Sequence, residues 1–161
     1  MAYQKLQVGL GVNVIPSDTI NIPNVSGPTQ SGSATSTSAN NLVDTAATFT
    51  NNLVGYIVYN TTDNTVATVT SVTDANTLVL SADIMANAES YTLYADDNAG
   101  CVLYVGGGAV GTPTVAADIA IVTSSGSEVI LKRVLPGSFI PVQVKRVKST
   151  ATTATDILAF W

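Results

Sequence analysis

The chain contains no histidine, which removes the side chain most often used as a general base or metal ligand near neutral pH. Its single cysteine, Cys101, excludes an intramolecular disulfide and a thiolate metal cluster, and leaves the redox compartment open. It reads as a small apolar core residue. Charged residues reach 11%, under half the ~25% of ordinary soluble domains. Aromatic residues reach 6%, with one tryptophan at position 161. No run of about 18 apolar residues occurs, so the 46% hydrophobic content does not come from a membrane-spanning helix. With 6 basic against 11 acidic residues the net charge is −5, which argues against sequence-independent binding to nucleic-acid phosphates.

What is abundant is Thr, Ser and Asn, which take the surface role of Lys and Glu and suit pleated surfaces and subunit interfaces. A chain of 161 residues can bury roughly 70% of its unfolded surface, enough for one domain or a domain with a small insertion. Behind Lys5, Leu6 to Ile15 faintly resembles the apolar part of a secretion signal. Gly9, Gly11 and Asn13 interrupt it, and no clean small-x-small cleavage site follows. Both chain ends are expected to be held in the fold.

Turn residues alternate with short β-forming stretches, so almost no helix is expected. Extended segments are predicted around Leu6–Ile15 and Thr19–Ile22, with Ser26–Asn41 as a Ser/Thr/Gly linker. Strands follow at Gly55–Asn60, Thr65–Val72, Thr77–Ser81 and Ser90–Tyr94, and Ala82–Asn87 is a candidate single helical turn. Further strands fall at Cys101–Val105, Asp118–Thr123, Glu128–Leu135, Ile140–Val147 and Asp156–Trp161, with turns at Ser124–Gly126 and Pro136–Gly137. The fold class is all-β: a β-sandwich or jelly-roll-like core from residues 1–34 and 96–161, carrying a small inserted β-meander or barrel at 35–95. In PVQVKRVK, Val142 and Val144 share a face while Val147 is out of phase; a bulge at Lys145–Arg146 restores the register.

Candidate chemistry is sparse. Asp96 and Asp97 are adjacent carboxylates, but neighbours on a strand point to opposite faces, so they read as a turn, with a surface Ca²⁺ site as the alternative. Gly106, Gly108 and Gly111 spell GxGxxG, yet the sequence after them reads as loop and strand; a hairpin loop fits better than a dinucleotide site. Asn24-Val25-Ser26 and Asn60-Thr61-Thr62 match glycosylation acceptors by composition alone. All basic residues but Lys5 fall late: Lys132, Arg133, Lys145, Arg146 and Lys148. They serve either as solvated strand edges or as a contact for an acidic partner surface.

The segment Ile15-Pro16-Ser17-Asp18-Thr19 through Pro23, then Cys101-Val102-Leu103-Tyr104-Val105-Gly106, Asp118–Val122, the run from Leu135 to Val147, and Thr152–Trp161 resemble the head spike base proteins of gene transfer agents and related tailed phages. The resemblance covers roughly residues 15–23 and 100–161. Compact members pass almost directly from the Pro-Ser-Asp-Thr segment to the Leu-Tyr-Val strand, so 35–95 looks like an inserted phage-virion-type β module. The resemblance implies a small β-rich virion protein on the capsid exterior that anchors spikes or fibres, with no catalytic residue to carry over.

The expected function is therefore a non-enzymatic virion structural protein, a head spike or fibre base or a head decoration protein. The alternative is a carbohydrate-binding or host-adhesion module of a tail or baseplate. Expected partners are copies of itself as a trimer or pentamer, the major capsid protein, and a spike or fibre protein, with no nucleic acid, membrane, cofactor or metal. In the last strand Ile157, Ala159 and Trp161 alternate with Leu158 and Phe160, so both faces are apolar. Leu158, Phe160 and Trp161 join the five late basic residues as candidate protein contacts.

Overall fold

The computed structural model of the chain describes residues 9–27, 29–112 and 114–161. Apart from a 3-10 turn at Asn51–Leu53, every regular element among them is a β-strand. In chain order these are β1 (Gly11–Asn13), β2 (Gln30–Ser33), β3 (Asn41–Val43), β4 (Ile57–Asn60), β5 (Thr65–Asp74) and β6 (Thr77–Leu80). There follow β7 (Ser90–Tyr94), β8 (Cys101–Ala109), β9 (Ala117–Thr123), β10 (Glu128–Val134), β11 (Ser138–Val147) and β12 (Ala154–Phe160). They form two six-stranded sheets, ordered β1-β12-β8-β11-β9-β10 and β2-β7-β4-β5-β6-β3, with every pairing antiparallel. The protein is all-β.

The chain divides into two compact units, Met1–Ile22 with Asn98–Trp161, and Pro23–Asp97. In the first, Leu103, Val105, Ile119, Ile121, Val144 and Ile157 are almost fully buried and come from four strands of one sheet. A single sheet encloses its own core only by curling, and one of the two sheets is a curled half-barrel. Burying each of these side chains contributes about 1.5–3 kcal/mol. The register shift between Val144 and Arg146, opposite Thr123 and Val122 of β9, is the bulge expected at Lys145–Arg146. A second irregularity sets Ile140 and Val144 opposite Leu103 and Cys101. Val142 lies within it and is exposed while Val144 is buried, so the two valines do not share an environment as their spacing implied.

The glycine run is strand rather than loop. β8 continues through Gly106, Gly107 and Gly108 to Ala109, and the chain turns only at Val110–Thr112. The shift between Ala154 and Thr155 presses Thr155 and Asp156 onto this stretch: a Cβ on Gly106 would lie 2.8 Å from the Asp156 carbonyl oxygen, and one on Gly107 would collide with Thr155 Oγ1. Glycine is there because another backbone approaches closely. The strand then runs into β9 through a loop, with no helix for a pyrophosphate.

In the second unit the supposed linker holds one strand and the first residue of another. Gln30–Ser33 pairs with β7 and Asn41–Val43 with β6, so residues 23–34 stand in this unit and the boundary lies near Ile22 rather than Ala34. Backbone ladders need no apolar side chains, which is why a Ser/Thr/Gly tract can pair. Gly32 is required because its missing Cβ makes room for Asp44 Oδ2 and the Tyr91 hydroxyl, 2.5 and 2.8 Å from where that atom would stand. Buried Tyr91 donates to buried Asp44 at 2.7 Å among Leu42, Phe49, Val58, Leu78 and Leu93. Ala82–Asn87 is not helical, and Thr19–Ile22 is fastened along β11 without forming a strand.

Candidate interaction surface

Most of the basic cluster is tied within the chain. Lys132 pairs with Asp118 at 2.8 Å, and the Arg133 N–H donates to the other oxygen of that carboxylate at 3.0 Å from a left-handed backbone, φ 55°. Lys148 pairs with Glu128 at 2.8 Å. Arg146 donates Nε and Nη2 to Asn21 Oδ1 and Nη1 to the Asp18 carbonyl oxygen, so this guanidinium is tied to its own N-terminal segment. The physical reason is the bulge, which turns Arg146 over residues 18–21. Lys145 is half-buried, and its carbonyl accepts the Ile22 N–H. Asp18 completes the clamp by accepting from the Thr150 N–H and from the Ser149 and Thr150 hydroxyls. The Thr150 N–H, then the two hydroxyls, hold its carboxyl below the usual range; the Lys132 ammonium, then the Arg133 N–H, do the same for Asp118.

The apolar candidates sort by face. Trp161 packs toward the core of the first unit, donates Nε1–H to Asn98 Oδ1 at 3.2 Å, and exchanges backbone hydrogen bonds with Gly9 and Leu10. Leu158 and Phe160 point to the outer face. Register aligns Leu158 with Tyr104 and Tyr104 with Phe139 across β12, β8 and β11, and sets Phe160 beside Val102 and over Gly11. Tyr104 and Phe139 are 5.1 Å apart, tilted at 54°, and Phe139 is 57% exposed. This outer face carries an apolar patch, an aromatic pair flanked by half-buried Leu158 and Phe160. Sequence alternation identified the β12 half, but Tyr104 and Phe139 become neighbours only through the pairing of β8 with β11.

Other polar groups are engaged in holding the fold. Asp63 and Glu89 share a hydrogen bond, which raises the Asp63 pKa by favouring its protonated form; the Ala86 N–H, at 2.6 Å, leads in holding Glu89 low. Carboxyls in direct hydrogen bond leave no room for the ~5 Å or wider separation of glycosidase pairs. Beside them, fully buried Asn60 donates to the Ile84 carbonyl and Glu89, and accepts the N–H groups of Thr62 and Asp63. Burial pushes the Cys101 thiol up to about 12 while it donates to the Val144 carbonyl at 3.1 Å, the environment of an inert core residue. Asp96 and Asp97 are exposed, and no group of three or more His, Cys, Asp or Glu among the described residues is placed to hold a metal ion. Among the described residues no helix is long and apolar enough to cross a membrane. No protein-family model, curated protein or solved structure matches the chain.

Proposed function

We propose that the protein is a non-enzymatic virion structural component on the capsid exterior, a base for head spikes or fibres or a head decoration protein, acting through contacts with copies of itself and with the major capsid protein. The observation that carries this reading is a coincidence of boundaries. The residues that resemble head spike base proteins, 15–23 and 100–161, are nearly those of the first unit, while the block that compact members lack is a unit with its own core. The outer face of the first unit supplies a contact surface: Phe139 with Tyr104, Leu158 and Phe160. Exposed aromatic anchors of this kind carry binding energy in protein interfaces.

The test is incorporation into particles. Phe139→Asp lies on an exposed side chain, so it should leave the thermal melt within a few degrees of wild type while removing the protein from purified particles. Particles that retain the variant at wild-type occupancy would retire this surface, and absence of the wild-type protein from particles would retire the virion reading. Phe139, exposed beside half-buried Tyr104, also favours the second reading, a carbohydrate-binding module, since sugars dock on aromatic faces. A glycan array separates the two: binding abolished by Phe139→Asp supports adhesion.

A further inference from the structure

We propose that two copies of the chain join edge to edge through β10, antiparallel about a twofold axis at Ile130, with Glu128 of each copy opposite Lys132 of the other. Among the described residues β10 ends its sheet, pairing on one side only, with β9. The Ala120 carbonyl accepts from Lys148 N–H and the Asp118 carbonyl from Thr153 N–H, so these β9 residues turn their backbone away from β10. Their partners alternate accordingly. Ile130, which faces Ala120, and by the same alternation Glu128 direct N–H and C=O out of the open edge, while Lys132 stands at the start of the irregularity between Leu131 and Val134 and offers its exposed side chain.

The other edges are less suited. β1 is three residues long, β2 carries only Gln, Ser and Gly side-chain positions, and β3 has its outer side occupied by Thr35 and Ser36. β10 instead shows aliphatic side chains on both faces at an open edge: Val129 is 42% and Ile130 47% exposed. Exposed apolar edges of this kind template pairing with another chain unless charge opposes it.

Here charge favours it, in one register. Centred on Ile130, an antiparallel pair sets Ile130 against itself, Val129 against Leu131 and Glu128 against Lys132, and the two Ile130 backbones exchange about two hydrogen bonds. Centred on Val129 or Leu131, Glu128 meets Ile130 or Val134 and the charges are unmatched. Lys132 already touches Asp118 and Glu128 touches Lys148, so pairing extends two ion pairs into a row of alternating sign: Lys148, Glu128, then Lys132 and Asp118 of the second copy. The contact is isologous, since the same strand serves both copies. It joins copies in pairs, so a trimeric or pentameric ring needs another surface. It stands whether or not the protein works on a virion.

The test uses the full chain. Light scattering across about 1–100 µM should show a monomer–dimer equilibrium, in the range of modest edge contacts. Lys132→Glu sets like charges opposite each other twice and should weaken dimerisation about tenfold or more, whereas Lys132→Arg should not. Ile130→Cys should cross-link into a disulfide dimer under mild oxidation; Val54→Cys, exposed on the other unit, is the control, and buried Cys101 does not compete. A monomer throughout overturns the proposal. So does an oligomer that Lys132→Glu leaves intact, or Ile130→Cys cross-linking no faster than Val54→Cys.

Discussion

Two residues set the acid limit of the first unit. Asp18 and Asp118 are held below an ordinary carboxyl value of 3.8, so in the folded chain they bind fewer protons than when unfolded. Stability from these two is present above that value and is lost as the pH falls through their folded pKa values. Thermal melts should drop on acidification below about pH 4, and Asp18→Asn should flatten part of that slope; an unchanged slope would show that the clamp on Thr150 is not ionic. Asp63, with its raised pKa, acts in the opposite sense and adds nothing to the acid loss. Asn60 is the residue to test in the second unit, because both its amide hydrogens and its oxygen are used in a fully buried position. Asn60→Ala leaves those partners unpaired and should cost roughly 2–3 kcal/mol, on the order of 10 °C in melting temperature for a unit of this size. A loss under about 0.5 kcal/mol would mean that water replaces the amide.

Among the elements, β12 lies between β1 and β8 with Ala159 fully buried. Deleting Ala159–Trp161 removes the pairings of Ala159 with Leu103 and Val12 and of Phe160 with Val102 and Gly11. Among the described residues β1 then keeps only its contacts with Leu158 and Ile157, and Cys101 should become reactive toward thiol reagents while the far-ultraviolet signal of the second unit persists. A Cys101 that stays protected would show that the end of the strand is dispensable. The sequence displayed such elements where side chains announce them: alternation in β12, Gly126 and Gly137 in the left-handed turns flanking β10, and the phase slip of Val147 that marked the bulge. It hid β2, whose pairing rests on backbone, and it disguised β8, whose glycines record the approach of Thr155 and Asp156 from far along the chain. The contact surface was half legible for the same reason. The basic residues cluster in sequence, but Asp18, Asn21, Asp118 and Glu128 reach them only through register, and that pairing makes Arg146 part of an internal clamp the sequence did not announce.

At the scale of the whole molecule, two cores on one chain raise the question of whether either needs the other. Each unit has its own cluster of buried side chains, drawn from its own strands. The second unit is a continuous segment, and its two ends are bridged: the Asn24 N–H donates to the Ala95 carbonyl at 3.1 Å. Paired residues in an antiparallel bridge have Cα atoms about 4.5–5.5 Å apart, so Ile22 and Asn98, a few residues beyond, are within reach of a short linker. The first unit keeps its N-terminal segment without help, since Ser17 and Ile22 donate to the β11 carbonyls of Val147 and Lys145 and Asp18 holds the Thr150 turn. Replacing 23–97 by about four Gly/Ser residues closes a short loop at little entropic cost. The shortened chain should therefore melt cooperatively, with dispersed amide resonances and Cys101 still unreactive toward thiol reagents in the absence of denaturant. The isolated 23–97 segment should fold as well, with Tyr91 still buried against Asp44. A shortened chain that is molten, or whose Cys101 reacts at the rate of a free thiol, would show that the core of the first unit depends on the second, and the boundary near Ile22 would lose its meaning as a junction between independent folds.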